Sequence, residues 1–214
     1  MALKALFYPD VPFETLYIPY IYKEIYFDGV YLDIFNQKKD MVVLDVGANI
    51  GVVTQYMRDY CKKVYAIEPS SEHFEALKKN KEFNKWDNVE IFNLALDDHD
   101  GEEKFFHNSK NRTCNSLTLE WGGGEDHERV KVQAFDTFFK ENNIKEVDFV
   151  KFDVEGAEDT ILRSEGFKKV AKKIKAIEVE FHFKSWQSLV EYMATLGFSA
   201  RRYESSAIII LFTR

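Results

Sequence analysis

Short apolar runs alternate with helical patterns along most of the chain, from about residue 41 onward. The apolar runs predict strands at 41–46, 63–67, 89–94, 147–152 and 174–181. Periodic apolar positions predict helices at about 50–61, at 71–84, from residue 157, and at about 186–196. Ser70 or Ser71 is the expected N-cap of the second helix. This alternation is typical of a parallel sheet covered by helices on both faces, so the predicted fold class is α/β.

Two regions break the alternation. Strand-like stretches at 103–107, 116–120 and 129–134, with a glycine-rich loop at 122–127, predict a β insertion above the sheet. The stretches 198–204 and 207–212, joined at Ser205 and Ser206, predict an antiparallel hairpin that closes the sheet. The first 40 residues are rich in Tyr and Phe. We therefore expect a lid or extension over residues 1–40 and the main domain over residues 41–214.

The composition limits the choice of partners. A chain of 214 residues suits one domain with an appendage, and 45% hydrophobic residues supply a core without disulfide or metal staples. The net charge of −7 opposes attraction to phosphate backbones, so we expect no nucleic-acid partner. Two lysine clusters, at 78–85 and 168–175, are interpreted as solvated helix surfaces.

Nothing in the hydropathy pattern indicates a membrane span. The purest apolar run, 207–212, is far shorter than the roughly 20 residues that a spanning helix needs. The N-terminal residues lack an apolar stretch long enough for a signal peptide. Cys61 and Cys114 lack the spacing of secreted disulfide proteins, so we expect reduced thiols and a cytoplasmic location.

The strongest local motif is a glycine turn that follows the first strand and opens the first helix. Residues 45–51 read Asp-Val-Gly-Ala-Asn-Ile-Gly. Gly47 and Gly51 allow a tight turn and a close approach of a ligand. Asn49 replaces the middle glycine of the dinucleotide fingerprint, and Asp45 precedes the first glycine. A carboxylate at that place suits a cationic group, such as an amino group or a sulfonium, better than a diphosphate.

An acid at the end of the second strand adds to this motif. Glu68 follows Gly47 by about 20 residues, where a carboxylate can accept hydrogen bonds from both hydroxyls of a ribose. The turn and this acid together predict a ligand that contains adenosine. Asp97 and Asp98 follow the third strand, whose end neighbours the adenine in such folds. For each of these two residues, an ordinary turn position that contacts no ligand is almost as well supported.

A second charged motif runs off the end of the fourth strand. Residues 151–158 read Lys-Phe-Asp-Val-Glu-Gly-Ala-Glu, and Lys151, Asp153 and Glu155 share a face if the strand persists. Glu180 and His182, at the end of the fifth strand, are two residues apart and would therefore lie on the same face of the sheet. Because the carboxyl ends of parallel strands form the ligand crevice, these groups should converge there. They could supply a general base or hold a divalent metal. No tight ligand spacing demands a metal, and we expect none. The alternative is a structural ion pair of Lys151 with Asp45 or Glu180, with Asp153 and Glu155 as caps of the next helix.

These motifs, in this order and spacing, resemble the FkbM family of S-adenosylmethionine-dependent methyltransferases. The resemblance covers about residue 24 to the end, and its most diagnostic pieces are the octamer at 151–158 and Glu180-Phe181-His182. It implies a class I methyltransferase fold, which is Rossmann-like with a seven-stranded, mostly parallel sheet. It also implies S-adenosyl-L-methionine as cofactor and methyl transfer, typically to a hydroxyl of a sugar or natural product. Asn115 and Ser116 look like a family position near the acceptor pocket.

The resemblance and the chemistry of the residues together give the candidate site. The residues expected to bind the cofactor are Asp45, Gly47, Asn49, Gly51, Glu68, Asp97 and Asp153. The expected catalytic residues are Glu155, as base or binder on the acceptor side, with His182 and Glu180 behind it. We expect a small-molecule or carbohydrate acceptor, on which aromatic side chains of the lid or Trp121 could stack.

Two rival functions share parts of the pattern. A nicotinamide-dependent dehydrogenase shares the sheet and the ribose acid, but it would need the G-x-G-x-x-G fingerprint and usually a second domain. A non-catalytic domain that binds an adenosine cofactor would also need the turn. The intact Asp153, Glu155 and Glu180 argue against such a decayed site, so O-methylation is the favoured function.

Overall fold

The structure is a computed structural model that describes residues 32–35, 40–108, 114–118, 126–182, 186–203 and 207–214. Its strands are β1 (Met41–Val46), β2 (Cys61–Ile67), β3 (Val89–Phe92), β4 (Ala95–Asp97), β5 (Gly101–Phe106), β6 (His127–Ala134), β7 (Phe149–Phe152), β8 (Ala176–Phe181), β9 (Ser199–Arg202) and β10 (Ile208–Thr213). Its α-helices are α1 (Leu32–Phe35), α2 (Val52–Met57), α3 (Ser71–Asn84), α4 (Phe135–Glu141), α5 (Glu158–Leu162), α6 (Glu165–Val170) and α7 (Trp186–Thr195).

A seven-stranded sheet has the order β3-β2-β1-β7-β8-β10-β9. The first five strands in this order are parallel, whereas β10 runs antiparallel to both β8 and β9. This confirms the predicted parallel sheet closed by a C-terminal hairpin. The strand order reverses between β1 and β7, so their carboxyl ends border the crevice in which open α/β sheets bind ligands.

Element boundaries differ from the sequence prediction in two places. The helix after β1 ends at Met57 and continues as a 3₁₀ turn, Arg58–Tyr60, so that β2 already begins at Cys61. The stretch predicted as a third strand at 89–94 ends early at Phe92, and a separate strand, β4, begins at Ala95. Between them, the Asn93 side chain donates hydrogen bonds to the backbone oxygens of Glu68 and Pro69. The chain leaves the main sheet at this point, and β4 pairs with β6 instead.

The predicted β insertion is confirmed as a second sheet with the order β4-β6-β5. Strand β5 pairs antiparallel with β6, and Ser116 adds an isolated bridge to Phe106 at the end of β5. His127 belongs to β6 and not to the predicted loop. Residues 119–120 and 122–125, which complete the predicted middle strand and most of the loop, lie outside the described residues, as does Trp121.

Apolar side chains fill both faces of the main sheet. The largest cluster joins the sheet to α4, α6 and α7 through buried Phe135, Phe167 and Leu189. A second cluster lies around Met57 and Phe149. Ser70 is the N-cap of α3, and both lysine clusters lie on the surface of the protein apart from the half-buried Lys81. No helix in the described part of the chain is long and apolar enough to cross a bilayer.

Most of the predicted lid over residues 1–40 lies outside the described residues. Of its described part, Phe35 in α1 is fully buried, and its ring packs edge-on against Tyr56 of α2 and Phe149 of β7. This short segment is therefore part of the core. Whether the rest forms a lid stays a prediction.

Candidate functional site

The glycine turn adopts left-handed backbone angles at three positions. Gly47, Asn49 and Gly51 have φ values of +79°, +52° and +91°. The N–H groups of Gly47 and Ala48 both donate to the carbonyl oxygen of Ile67 at 3.0 Å, which ties the turn to the end of β2. The tight turn that the sequence predicts is therefore present at the carboxyl end of β1.

The close approach at both glycines is made by the protein itself. A Cβ atom on Gly47 would lie 1.9 Å from the backbone oxygen of Asp153, which no side chain can tolerate. A Cβ atom on Gly51 would lie 2.7 Å from Leu77 and 2.9 Å from Trp86. The sequence predicts that a ligand makes this close approach, but the packing of the segments at and after β7 and α3 already requires glycine at both positions.

Glu68 is buried directly behind the turn. Its two carboxylate oxygens accept hydrogen bonds from the backbone N–H groups of Asn49 and Ser70, each at 2.8 Å. Burial raises the pKa of Glu68 to about 7, against these two hydrogen bonds. Each oxygen keeps a further lone pair, so the carboxylate can still accept a ligand hydroxyl while it holds the turn.

Lys151 joins the glycine turn to the charged motif after β7. Its Nζ atom donates to the carbonyl oxygen of Gly47 at 2.9 Å and to Asp153 Oδ2 at 3.1 Å, and it lies 4.0 Å from Asp45 Oδ1. Burial lowers the pKa of Lys151, but Asp153 and Asp45 outweigh burial and raise it. The structural ion pair with Asp45 is thus confirmed, with Asp153 as the closer partner.

Asp45 and Asp153 each carry a buried carboxylate oxygen, Oδ1, that accepts no hydrogen bond from the described residues. Asp45 itself is fully buried, and its other oxygen accepts a hydrogen bond from the Thr54 hydroxyl at 2.5 Å. The Asp153 side chain is 24% exposed. A buried oxygen without a donor fits an incoming cation, and of the two acids Asp153 is the more accessible.

The predicted convergence of acids around a histidine is confirmed. His182 Nε2 lies 3.2 Å from Glu155 Oε2, 3.9 Å from Asp153 Oδ1 and 4.0 Å from Glu180 Oε1. The sequence argument missed one member of this cluster. Glu158, which is 1% exposed, faces the opposite nitrogen, with Oε1 at 2.8 Å from Nδ1. The octamer contained Glu158, but its place in the first turn of a helix gave no sign of this contact.

His182 is positively charged at neutral pH. Burial lowers its pKa, but the hydrogen bond to Glu158 and the charges of Glu155 and Asp153 outweigh burial and raise the pKa to about 9. Both ring nitrogens face carboxylate oxygens, which only accept hydrogen bonds when ionised, so both nitrogens must donate. An imidazolium cannot take a proton from an acceptor.

A left-handed turn, and not the strand face, brings Glu155 into this cluster. Strand β7 ends at Phe152, so the parity argument stops before Glu155. Glu155 has a φ of +55° and Gly156 a φ of +106°. The hydroxyl of Ser116 donates to the backbone oxygen of Glu155 at 2.5 Å and thereby connects the β insertion to the turn.

Asp97 stands apart from these contacts. At the end of β4 it accepts the N–H of Asp98 at 2.8 Å and lies 3.9 Å from His99 Nδ1. Burial raises its pKa, against that hydrogen bond. Its contacts neither support nor oppose the expected place beside an adenine.

A family model described as the methyltransferase FkbM domain matches residues 45–202, which is most of the chain. The chain belongs to the FkbM methyltransferase family. Methyltransferase 1 of Beauveria bassiana is 30% identical over 172 residues, which are 71% of this chain and 69% of the relative. The AMB antimetabolite synthetase AmbE of Pseudomonas aeruginosa is 38% identical over 90 residues, which are 40% of this chain but only 4% of that protein.

Solved structures agree on the fold of this FkbM methyltransferase. An FkbM methyltransferase from Methylobacillus flagellatus superposes with a TM-score of 0.58 at 14% identity, covering 90% of this chain and 48% of that one. An rRNA methylase from Streptococcus thermophilus gives 0.53 at 12% identity, covering 83% and 88%. Both support the class I methyltransferase fold. At such low sequence identities the likeness concerns the fold and not the substrate.

Two groups of side chains in the described part of this FkbM methyltransferase could hold a metal ion by spacing alone. Asp153, Glu155 and His182 offer atoms within 4.8 Å of one another, as do buried Asp97 and the exposed Asp98 and His99. In the first group His182 Nε2 already forms an ion pair with Glu155 Oε2 at 3.2 Å, and a metal ion would have to replace it. That no metal is needed stays a prediction.

Proposed function

We propose that this FkbM methyltransferase uses S-adenosyl-L-methionine to methylate a hydroxyl group of a sugar or other small molecule. The observation that carries the proposal is the contact between Glu155 and the charged His182, 3.2 Å apart, beside the turn that joins β1 to α2. The contact supports the proposal because a carboxylate can accept a proton, and because open α/β sheets bind ligands at the carboxyl ends of their strands.

The residues around the turn fit the cofactor. Asp153 keeps a buried oxygen without a donor, which suits the ammonium group of the methionine part. Glu68 suits the ribose hydroxyls, because its carboxylate lies behind the turn and retains lone pairs. The backbone of the glycine turn, at Gly47, Asn49 and Gly51, would border the methionine part. Asp45 lies deeper and contacts Thr54 and Lys151, so in our proposal it supports the turn from behind.

The acceptor side must hold the hydroxyl and take its proton. When bound, the cofactor supplies a methyl group that its sulfonium has activated. An alcohol is a weak nucleophile, so a base has to remove the proton as the oxygen attacks. Glu155 is that base in our proposal, because His182 is protonated at neutral pH. His182 then holds the Glu155 carboxylate ionised, and Glu180 completes the acidic rim.

The acidity of this side favours an uncharged acceptor with several hydroxyls. Asp153, Glu155 and Glu180 can each accept hydroxyl hydrogens, whereas they would repel a phosphate backbone. The net charge of −7 acts in the same direction. A nucleic-acid acceptor is therefore the second candidate and not the first, even though one structural neighbour is an rRNA methylase.

The test is label transfer from methyl-tritiated S-adenosylmethionine to separate pools of glycans, hydroxylated small molecules, tRNA and protein. We expect label in the glycan or small-molecule pool, carried as a base-stable methyl ether. Label only in RNA or protein would overturn the choice of acceptor. Binding of S-adenosylhomocysteine without transfer to any pool would support a non-catalytic domain, and binding of NAD instead would support a dehydrogenase.

The same assay tests the metal. We expect EDTA to leave transfer unchanged, because the His182 nitrogens already serve the surrounding carboxylates. Strong inhibition that magnesium reverses would make Asp153 and Glu155 metal ligands first.

A further inference from the structure

Glu158 is the most deeply buried member of the cluster around His182. Its side chain is 2% exposed, compared with 17% for Glu155 and 37% for Glu180. The same oxygen, Oε1, accepts the backbone N–H of Gly156 at 2.9 Å and faces His182 Nδ1 at 2.8 Å. One carboxylate oxygen therefore fixes both the imidazole ring and the residue that follows Glu155.

We propose that Glu158 is a positioning residue, which holds His182 by its Nδ1 atom so that Nε2 presents its hydrogen to the carboxylate of Glu155. Glu158 does not reach the acceptor in this arrangement. It acts through His182, and the inference therefore rests on the proposed function of Glu155.

The two nitrogens of the His182 ring face different carboxylates. His182 contacts Glu158 on the α5 side through Nδ1. Through Nε2 it faces Glu155 and Asp153, which follow β7, and Glu180, which lies in β8 just before His182. A carboxylate hydrogen-bonded to one nitrogen fixes the ring orientation and favours the charged form. Without it, the ring could turn and lose its proton near neutral pH, and Glu155 would lose its cationic partner.

Glu158 could instead serve only the backbone, through Gly156 N–H. The test must separate the two roles. Glu158→Gln keeps the volume and an oxygen for Gly156, but it removes the charge that faces His182. Asp159→Asn is the matched control, because Asp159 lies in the same first turn of α5 and pairs with Arg163 at 3.0 Å. It removes an equal charge from the helix start without touching His182.

The first measurement needs no acceptor. Nitrogen-15 NMR of the imidazole rings follows the titration of His182 in the protein saturated with S-adenosylhomocysteine. We expect wild type and Asp159→Asn to titrate near 9 with a proton on Nδ1. We expect Glu158→Gln to titrate lower by about one pH unit or more, as the loss of a close opposite charge predicts.

The second measurement is the pH profile of kcat, with the pool that accepts label in the wild type. We expect wild-type turnover to fall above about pH 9 as His182 loses its proton. In Glu158→Gln this alkaline limb moves to lower pH, and turnover at pH 8 falls by about two-fold for a shift of one pH unit and by roughly 10-fold for a shift of two, with recovery toward pH 6.5. The affinity for S-adenosylhomocysteine stays unchanged.

An unchanged titration of His182 with an unchanged alkaline limb would overturn the proposal, whatever the loss of turnover, because Glu158 would then serve the fold alone. If Glu158→Gln does not fold, the wild-type spectrum decides. If His182 of the wild type titrates near its ordinary value of 6.5, or loses its proton from Nδ1 first, the contact between Glu158 and Nδ1 is contradicted. If no pool accepts label, the proposed function fails, while the spectra still test whether Glu158 holds the ring.

Discussion

Glu155 combines a left-handed backbone with a carboxylate that faces an imidazolium. A non-glycine residue at positive φ is uncommon and costs free energy unless its surroundings hold it there. Ser116 holds the backbone oxygen of Glu155 and His182 holds its side chain. The residue is therefore fixed from two directions, which is the arrangement that a base in a displacement reaction needs.

Replacing Glu155 by Gln should remove the base and leave the cofactor side intact. We expect turnover to fall by about 10²-fold or more, the usual effect of losing a positioned base. Affinity for S-adenosylhomocysteine, measured by calorimetry, should stay near that of the wild type. Glu165→Gln is a suitable control, because Glu165 is exposed and pairs only with surface Lys168 among the contacts described. A collapse of cofactor binding would place Glu155 on the cofactor side.

Replacing Glu68 by Gln should weaken cofactor binding and change its pH dependence. A carboxylate accepts ribose hydroxyls best when ionised, and the pKa of Glu68 is about 7. We therefore expect wild-type affinity for S-adenosylhomocysteine to rise between pH 6 and pH 8. In Glu68→Gln the affinity should drop by roughly 1.5–3 kcal/mol at pH 8 and vary little with pH. Equal pH dependence in both proteins would remove Glu68 from the site.

The β insertion contributes to the site through one hydroxyl. Ser116 is fully buried, and its backbone exchanges two hydrogen bonds with Phe106, at 2.8 and 3.0 Å. These bonds anchor Ser116 to β5, while its side chain reaches across to Glu155. The insertion is therefore a support for the turn after β7 as well as a second sheet.

Replacing Ser116 by Ala should loosen that support. The backbone pairing with Phe106 remains, but the Glu155 carbonyl loses its donor. We expect the free energy of unfolding in urea to fall by about 1 kcal/mol and turnover to fall by roughly 10-fold as Glu155 loses its orientation. Thr118→Val is the control, because the Thr118 hydroxyl contacts Ser116 and not Glu155. Full turnover in Ser116→Ala would show that His182 alone is sufficient.

The sequence predicted the elements well where the apolar pattern was long. The parallel strands and the closing hairpin follow from buried apolar runs, and the insertion follows from the break in alternation. The split of the third strand could not be predicted, since it coincides with hydrogen bonds from Asn93 to the backbone at Glu68 and Pro69. Such a bond joins residues about 25 positions apart and leaves no periodic signal.

Across the whole molecule, buried groups whose pKa is raised make the folded protein less stable as pH rises. Burial raises the pKa of Asp45 and Asp97, and Glu68 and His182 act in the same direction at higher pH. Glu68 ionises near its ordinary value of 4.5 in the unfolded chain but near 7 in the folded one. His182 loses its proton near its ordinary value of 6.5 when unfolded but near 9 when folded. Between these values the folded state binds more protons than the unfolded state, so its stability must fall with rising pH.

We therefore expect the free energy of unfolding to decrease in two steps, from about pH 5 to 7 through Glu68 and from about pH 7 to 9 through His182. Each step is worth up to about 3 kcal/mol. Asp136 and Asp148, whose pKa values are lowered, matter only below these windows. Urea titrations at pH 5.5, 7 and 9 measure the steps. Glu68→Gln should flatten the first and His182→Asn the second, and a slope common to all three proteins would contradict the assignment.

The candidate site was predictable as a set of strand ends but not as a set of contacts. Asp153, Glu180 and His182 converge because parallel strands end at one edge, whereas a left-handed turn brings in Glu155. Glu158 lies on a helix, and its burial beneath His182 depends on where the start of α5 lies relative to the residue that follows β8. The charge of His182 likewise depends on that contact. Position along the chain could therefore suggest a base but could not show that the histidine is already protonated.

The packing at the two glycines changes how tolerance to substitution should be interpreted. Gly47 meets the backbone of Asp153, and Gly51 meets Leu77 and Trp86, without any bound molecule. A library randomised at these two positions and selected only for soluble, folded protein should return glycine at both. Inactivity of an alanine variant would then report the loss of packing within the protein: between the turn after β1 and the segment after β7 for Gly47, and against Leu77 and Trp86 for Gly51. Genetic screens for cofactor contacts in this protein are better aimed at Asp153 and Glu68, where a side chain can change while this packing stays intact.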